Sequence, residues 1–415
     1  MAGLYIHIPF CKSKCGYCGF YSLPSLKLKD RFLEALKEEI VLRKGYLEGI
    51  DALTQPSMSY RTTVGVSVSM DGWPRHDMPS IHTIYFGGGT PSLLTADEIQ
   101  DLLHLINTTF PVAPNAEITL EANPDTLSLD YLQALRQMGI NRLSIGIQSF
   151  FDNDLQYLSR KHDSHHARQC LEWAKQAGFS NISIDLIYGL PTSNAEQWNQ
   201  NIDIFFAYDL PHLSAYALTL EPNSILTKQI ELGKALPINE DDALRDYDIL
   251  CRRAKENGYL HYEISNFCRR GMHSKHNASY WFGTPYLGLG PSAHSFDGNS
   301  RQWNVSNIEN YCGALPTVGH APLFLPVVGK APQEKELLSP EQHYNEYVML
   351  RLRTHWGIDL KYMKREMGER FSNYCEQHAQ PLIAQGRLSQ TREFLYLTDE
   401  QMLFADGVAE ELFWE

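Results

Sequence analysis

The chain has 415 residues and a formal net charge of −13; 43% of its residues are hydrophobic and 20% are charged. This is the composition of an ordinary globular protein, and its acidic balance argues against a nucleic-acid partner, because phosphate-binding proteins carry a basic excess. The sequence has no apolar run of about 18 residues and no N-terminal basic segment followed by an apolar one. We therefore expect no membrane-spanning helix, no signal peptide and a cytoplasmic location.

The first predicted strand, residues 4–8, runs directly into the segment CKSKCGYCGFYS. Cys11, Cys15 and Cys18 have the spacing C-x3-C-x2-C in this segment, whose glycines favour a loop. Clustered cysteines in a reducing compartment indicate metal ligands or catalytic thiols. Three thiolates can hold three irons of a [4Fe–4S] cluster and leave the fourth iron free. A structural zinc site with His7 as the fourth ligand is the alternative.

Short apolar runs and amphipathic segments alternate through the first half of the chain, which predicts parallel strands joined by right-handed crossovers. The fold class is therefore α/β, either a full or partial barrel or an open doubly wound sheet. Thr95 followed by Glu98 is a capping-box pattern for one of the helices. The later predicted strands are residues 83–86, 117–121, 142–147, 181–187 and 213–220, and the predicted helices are 30–49, 95–108, 127–138, 164–178 and 195–207.

Glycine-rich or polar residues lie at or near the carboxyl ends of these strands, where α/β folds keep their chemistry. The glycines after the second strand allow the backbone to approach a ligand closely, although a tight turn is the alternative. Asp185 lies within an apolar run, and a buried carboxylate implies a partner. The candidate residues at these positions are Gly88, Gly89, Thr90, Glu121, Gln148, Arg160 and Asp185.

Composition divides the chain into a core at 1–225, an extension at 226–312, a linker at 313–338 rich in Pro and Gly, and a C-terminal domain at 339–415. Within the core, residues 51–80 are rich in Ser, Thr, Pro and Gly and predict an inserted surface loop. The C-terminal domain combines helices with two short strands near its end. It is therefore expected to be an α+β, winged-helix-like module.

These motifs together resemble the radical S-adenosylmethionine (SAM) superfamily. The C-x3-C-x2-C loop with Tyr17 before its last cysteine, and the glycine run followed by Thr90 and Pro91, carry the resemblance. It implies a partial (β/α)6 TIM-like barrel that binds a [4Fe–4S] cluster through Cys11, Cys15 and Cys18. It further implies that the fourth iron binds the amino and carboxylate groups of SAM, which an electron from the cluster then cleaves.

At a finer level the chain resembles the HemN/HemW family over nearly its whole length, including the C-terminal module. The ordered motifs YIHIPFC, GGGTPS, E-x-NPD, RLSIGIQSF, LSRKH and IDLIYGLP carry this likeness. The family's site residues are transferred only to matching positions. The resemblance implies that Tyr5 and Tyr17 lie against SAM and that Gly88, Gly89 and Thr90 contact its methionine end. It further implies that Glu121, Gln148 and Arg160 hold the amino, ribose and carboxylate groups of SAM. Asp185 would hold its ribose or adenine side.

Two departures favour the heme-chaperone branch, HemW, over the oxygen-independent coproporphyrinogen III dehydrogenase. That enzyme has a further cysteine two residues after the third, where this chain has Phe20, and it has a longer N-terminal extension. The resemblance thus implies a chaperone that binds heme and delivers it to apo-hemoproteins such as respiratory enzymes. The dehydrogenase activity is the alternative, and a radical SAM enzyme with an unrelated substrate is a third interpretation.

The segment HNASYW matches the H-N-x-x-Y-W motif of HemW proteins, which implies heme contacts by His276, Asn277, Tyr280 and Trp281. By itself the motif favours a turn with an aromatic anchor. The axial ligand of the iron stays open, and His273, His294 and Cys268 are alternatives. An electron donor for the cluster is expected as a partner. Homodimer formation and peripheral membrane contact are left open.

Overall fold

The computed structural model describes residues 2–48, 59–61, 67–69, 80–222, 224–314 and 333–415. Most of the predicted insertion at 51–80 therefore lies outside the described residues. Its described part is Ser80 and a pair of short antiparallel strands at Ser59–Arg61 and Ser67–Ser69. Among the described residues, we find no helix with the length and apolar character that crossing a membrane requires.

Strands and helices alternate through the first half of the chain, as the sequence predicts. The strands are β1 (Ala2–Ile8), β2 (Ser59–Arg61), β3 (Ser67–Ser69), β4 (Ile81–Gly88), β5 (Val112–Ala122), β6 (Arg142–Gln148), β7 (Asn181–Tyr188), β8 (His212–Ala217), β9 (Leu260–Glu263), β10 (Asn266–Cys268), β11 (Tyr286–Leu289), β12 (His294–Phe296), β13 (Ser300–Asn304), β14 (Gln333–Leu337), β15 (Ile358–Asp359), β16 (Ser389–Gln390) and β17 (Phe394–Tyr396). The α-helices are α1 (Lys29–Leu42), α2 (Ala96–Thr109), α3 (Leu129–Gln137), α4 (Asp152–Tyr157), α5 (Ser164–Gln176), α6 (Ala195–Ala207), α7 (Ile225–Glu231), α8 (Glu240–Glu256), α9 (Lys275–Trp281), α10 (Ile308–Ala314), α11 (Pro340–Leu352), α12 (Leu360–Tyr362), α13 (Glu369–Ala384) and α14 (Ala405–Glu410).

Twelve strands form one sheet in the order β14-β13-β12-β11-β1-β4-β5-β6-β7-β8-β10-β9. Neighbouring strands from β11 through β8 are parallel, and the strands added at either edge are antiparallel. The two end strands do not pair with each other within the described chain. The sheet is therefore an open, partial barrel of six βα units, which is the predicted fold, extended at both edges.

The two faces of the barrel strands differ in polarity, because successive side chains in a strand point to opposite sides. Leu143, Ile145 and Ile147 of β6 belong to the apolar core. Ser144 and Gln148 alternate with them and face the barrel interior. Layers of apolar side chains fill an ordinary TIM barrel, so this polar interior indicates a place for a ligand.

Several observed element boundaries differ from the predictions; β5, for example, begins at Val112 rather than at residue 117. The strand predicted to reach residue 220 ends at Ala217. The first helix ends at Leu42 and is followed by a 3-10 turn at Lys44–Leu47. Residues 333–337 fall in the predicted linker but form β14, which pairs with β13. Residues 313 and 314, at the start of that predicted linker, end α10, and the remainder, 315–332, lies outside the described residues.

The C-terminal module has its own apolar cluster, which includes Tyr344, Phe371 and Leu395. Its sheet has three strands in the order β15-β17-β16, one more than the sequence predicts. The additional strand, β15, consists of Ile358 and Asp359 and pairs with β17, more than 30 residues later in the chain. The amide of His355 donates to the carbonyl of Tyr262 at 3.1 Å, which joins the module to the core extension.

Candidate functional site

The three clustered cysteines lie in the loop that follows β1, at the carboxyl end of the parallel strands. All three thiols are partly exposed. The amide of Cys11 donates to the carbonyl of Leu23 at 3.0 Å, and the amide of Cys18 donates to that of Cys15 at 3.4 Å. The backbone thus folds the loop over the strand end and keeps the thiols within reach of a ligand.

Two side chains donate hydrogen bonds to these sulfurs. The hydroxyl of Thr90 lies 3.6 Å from Sγ of Cys11, and Nη1 of Arg160 lies 3.4 Å from Sγ of Cys15. Burial raises the pKa of the Cys18 thiol, and the neighbouring cysteines raise it further. Donors that face the sulfurs stabilise thiolates, the form in which cysteine binds iron. Three thiols with this surrounding fit a [4Fe–4S] cluster.

The zinc alternative requires His7 as a ligand, and the structure gives His7 other partners. Its Nε2 is 3.0 Å from the carbonyl of Tyr21, and its Nδ1 is 3.2 Å from the hydroxyl of Tyr5. In the part of the chain that the structure describes, no three His, Cys, Asp or Glu side chains could hold one metal ion. The geometry therefore disfavours zinc.

The glycine run at the end of β4 is required by the close approach of β1. Gly88 has φ +107°, and a Cβ there would lie 2.7 Å from the His7 ring. A Cβ on Gly89 would lie 2.5 Å from the carbonyl oxygen of Phe10. The amide of Gly88 donates to Glu121 at 3.1 Å. The run thus packs two strand ends together and points a backbone donor toward the site.

Glu121 and Asp185 bring two carboxyl groups into the barrel interior. Glu121 accepts from the hydroxyl of Tyr85 at 2.7 Å, and the hydroxyl of Ser144 donates to Asp185 at 3.4 Å. Burial raises the pKa of Glu121 to about 7, an effect to which the charge of Asp185 adds. Burial likewise raises the pKa of Asp185 to about 6. A cationic ligand group beside these two carboxyls would lower their pKa values and favour their ionised forms.

Arg160 reaches the cysteine loop from a distant part of the chain. Its Nη2 donates to the side chain of Asn123 at 2.6 Å and to the carbonyl of Gly146 at 2.8 Å. Burial lowers the pKa of Arg160, but the charges of Tyr17 and Cys15 outweigh it and the net shift is upward. The guanidinium therefore stays charged beside the thiols, where it can bind a carboxylate.

Gln148 ends β6 in an unusual backbone conformation, with φ +66°. Residues other than glycine seldom adopt positive φ, and such strain concentrates at functional sites. Tyr5 lies deeper in the barrel, where its ring stacks on Tyr85 at 6.1 Å. Tyr17 packs against a separate apolar cluster that includes Leu158. Among the predicted SAM residues, hydrogen bonds join Thr90 to Cys11, Arg160 to Cys15 and Gly88 to Glu121.

The H-N-x-x-Y-W motif forms the short helix α9, which anchors against the barrel interior. Nδ1 of His276 is 2.8 Å from the Thr83 hydroxyl, and its Nε2 is 2.8 Å from the Tyr280 hydroxyl. Its ring stacks on Tyr85 at 4.9 Å. Burial lowers the pKa of His276 to about 3, and the charge of Arg142 lowers it further. Both ring nitrogens are engaged in this arrangement, so the heme contact of His276 stays a prediction.

The other predicted heme residues lie in different surroundings. The backbone amide of Asn277 donates at 3.3 Å to the hydroxyl of Ser274, which caps α9. Trp281 is partly exposed and lines a cavity next to the C-terminal module. Of the alternatives, Cys268 is fully buried in an apolar cluster. His273 packs against Tyr262 and Trp356, and His294 stacks on Trp303.

Two residues of the site were missed by the sequence reasoning. Asn123 accepts from Arg160 and donates to the hydroxyl of Thr90 at 3.0 Å, so it links the two groups that bond the sulfurs. Arg142 is 1% exposed, and its Nε has no hydrogen-bond partner among the described residues. The sequence contained an indication of both residues. Asn123 lies in the motif E-x-NPD, and Arg142 is an even number of positions from Gln148 in the same strand, which places the two side chains on the same face.

Comparison with known proteins places these features in a family. Residues 74–204 match the radical SAM superfamily, and residues 338–404 match the HemN C-terminal domain. The chain is 31% identical to the heme chaperone HemW of Mycobacterium tuberculosis strain H37Rv, over 99% of this chain and 94% of that one. It is 30% identical to the heme chaperone HemW of Bacillus subtilis, over 98% of each chain.

A solved structure shows the same fold. The chain superposes on coproporphyrinogen III oxidase (HemN) from Escherichia coli with a TM-score of 0.78, covering 99% of this chain and 90% of that one. The sequence identity is 22%, so this likeness shows the fold alone. It confirms the predicted α/β class, with a partial barrel and a C-terminal domain.

Proposed function

The chain belongs to the HemW family, and we propose that it is a heme chaperone that binds heme on a radical SAM scaffold and delivers it to apo-hemoproteins such as respiratory enzymes. One observation carries the heme part of this proposal. Tyr280 and Trp281, the last residues of the H-N-x-x-Y-W motif, line a cavity of about 360 Å³. An aromatic cavity at this motif suits a flat, largely apolar macrocycle.

We assign Cys11, Cys15 and Cys18 to a [4Fe–4S] cluster and the adjoining strand ends to SAM. When bound, these two groups supply one-electron chemistry. Arg160 would bind the carboxylate of SAM through its planar guanidinium. Ionised Glu121 would accept from the amino group. The remaining predicted contacts are Tyr5, Tyr17, Gly88, Gly89, Thr90, Gln148 and Asp185.

Two further parts of the proposal concern partners. An external electron donor would reach the cluster through the partly exposed cysteine loop. Phe20, next to this loop, is 69% exposed and leaves the loop accessible. Homodimer formation and membrane contact stay open, as the sequence left them.

A paired assay tests the proposed function against the alternative. Anaerobic, cluster-loaded protein is titrated with heme, and a second sample receives coproporphyrinogen III, SAM and a reductant. We expect a saturable Soret band in the first sample and no protoporphyrinogen in the second. Formation of protoporphyrinogen would assign the chain to the dehydrogenase activity, and a missing Soret band would remove the chaperone proposal.

A further inference from the structure

The cavity beside the H-N-x-x-Y-W motif is shared by two parts of the chain. One wall comes from the end of α9 and from β11–β13, with Trp281 and Phe296 among its residues. The other comes from α11 and the segment that follows it, with Tyr347 and Met367 among its residues. A ligand in this cavity would therefore contact both the core extension and the C-terminal module.

Aromatic rings dominate both walls. On the core side, the rings of Tyr280 and Tyr286 meet edge to face at 4.6 Å. On the module side, the rings of Tyr347 and Tyr362 stack at 5.2 Å. Two aromatic walls suit a flat apolar ligand better than a compact polar one. Heme is such a ligand, and it also needs an iron ligand and a cation near its propionates.

Arg301 supplies the cation. Its Nε and Nη2 each lie 2.9 Å from an oxygen of Glu346, an ion pair that joins the two walls. The side chain is 32% exposed, and its guanidinium lies 5.3 Å from the ring of Phe296. A guanidinium has five N–H groups, so the pair with Glu346 leaves others for a propionate.

His343 supplies the iron ligand. It lines the cavity from α11 and is partly buried. Its ring makes no hydrogen bond to any residue that the structure describes, whereas both ring nitrogens of His276 are engaged. Burial lowers the pKa of His343, and the charge of Arg301 adds to this while that of Glu346 opposes it. The imidazole is therefore neutral near pH 7, as an iron ligand must be.

We propose that heme occupies this cavity with the imidazole of His343 bound to its iron, so that the C-terminal module supplies the axial ligand. This inference rests on the proposed function, because it takes heme as the occupant. None of His273, His294 and Cys268 lines the cavity. His276 is then a positioning residue that holds α9, and with it Trp281, against the barrel.

Heme titration of His343→Ala tests the inference, with His104→Ala as a matched control on an exposed part of α2. We expect His343→Ala to shift the Soret maximum, change the ferric EPR spectrum and weaken binding at least about tenfold. His104→Ala should match the wild type in all three. Added imidazole should restore the wild-type spectrum to His343→Gly, which loss of structure alone would not allow.

A cavity-filling variant and the cluster absorbance complete the experiment. Leu350→Trp should block heme binding while the cluster absorbance stays unchanged, because Leu350 lines the cavity away from the cysteine loop. Wild-type spectra in His343→Ala would overturn the inference and leave the proposed function standing. Loss of the ferric signature in His276→Ala, with its retention in His343→Ala, would overturn it as well. Absence of a Soret band in the wild type would contradict both this inference and the proposed heme-chaperone function.

Discussion

A continuous path of side-chain hydrogen bonds connects the cysteine loop to Thr90, which follows β4, and to Asn123, which follows β5. The path runs from Cys11 to Thr90, Asn123, Arg160 and Cys15. Each residue of this path is the hydrogen-bond donor or acceptor of the next. Because Asn123 is central to this path, it should control the orientation of both groups that bond the sulfurs.

Replacing Asn123 with Ala should weaken SAM binding and shift the cluster potential. The change removes the partners that orient Arg160 and Thr90, and a bond to a charged group is worth about 1.5–3 kcal/mol. We expect the Kd for SAM to rise about tenfold or more. Anaerobic equilibrium binding measures the Kd, and a redox titration followed by EPR measures the potential. Asn107→Ala on α2 is the control; unchanged values in Asn123→Ala would show that the path has no role.

Replacing any one of Cys11, Cys15 and Cys18 with Ala should abolish the visible absorbance of the cluster, because each thiolate would hold a separate iron. Cys170→Ala is the control, since this thiol is fully buried in α5 and donates to the carbonyl of Ala167. Absorbance and iron content of anaerobically reconstituted protein are measured. Full absorbance in a variant of the loop would exclude that cysteine as a ligand.

Glu121 should make the stability of the SAM-free protein depend on pH. Its pKa is raised to about 7 from the ordinary 4.5, so in this window the folded state holds a proton that the unfolded state releases. Stability therefore falls as pH rises through the window, by at most about 3 kcal/mol. Asp185 acts in the same direction from its ordinary 3.8 to about 6.

The test compares Glu121→Gln with the wild type by anaerobic calorimetry at about pH 5 and about pH 8. The glutamine side chain keeps one acceptor oxygen, so the variant loses one of the two bonds donated by Tyr85 and Gly88, which lowers its melting temperature by a similar amount at both pH values. The melting temperature of the wild type should therefore fall from about pH 5 to about pH 8 relative to that of the variant. A difference that stays constant would show that Glu121 is ionised throughout the range.

At the scale of elements, a buried carboxylate fixes helix α1 to the core extension. Glu39 is fully buried and accepts from the amide of Gly290 at 2.8 Å, the side chain of Asn304 at 2.8 Å and the hydroxyl of Tyr311 at 2.6 Å. Arg43 lies 3.7 Å from it. The Glu39 carboxylate thus accepts hydrogen bonds from three residues of the core extension, and these bonds help hold the extension on the barrel.

Glu39→Leu should lower the melting temperature by several degrees. It leaves three buried donors without an acceptor and Arg43 without its charge partner, a loss of about 3 kcal/mol or more. Glu34→Ala, at an exposed position of the same helix, should change little. Calorimetry of both variants measures this. Equal melting temperatures would show that the extension is held by apolar packing alone.

Elements with a strong periodic pattern were predictable, and contacts between distant residues were not. The capping box at Thr95 and Glu98 and the presence and order of the six barrel strands agree with the structure because local sequence determines them. The end of β8 and strand β14 differ because pairing partners decide where a strand stops. The path through Asn123 and the contact of His276 with Thr83 join residues more than 30 positions apart, and one sequence does not encode such contacts visibly.

For the whole molecule, the barrel and the C-terminal module have separate apolar cores and meet along β9, α9 and the proposed heme cavity. The cysteine loop lies at the carboxyl end of β1, while Trp281 ends α9 and lines the cavity beside the module. This arrangement gives the cluster and the heme different places in one chain.

Heme transfer is the most direct test of the chaperone proposal. Anaerobic, cluster-loaded protein carrying heme is mixed with the apo form of a b-type respiratory cytochrome, with SAM and a reductant present, and the Soret bands of donor and acceptor are followed. We predict that the acceptor gains heme at the expense of the chain, and faster than from an equal amount of free heme. Transfer no faster than from free heme would show that this chain does not act as a heme chaperone.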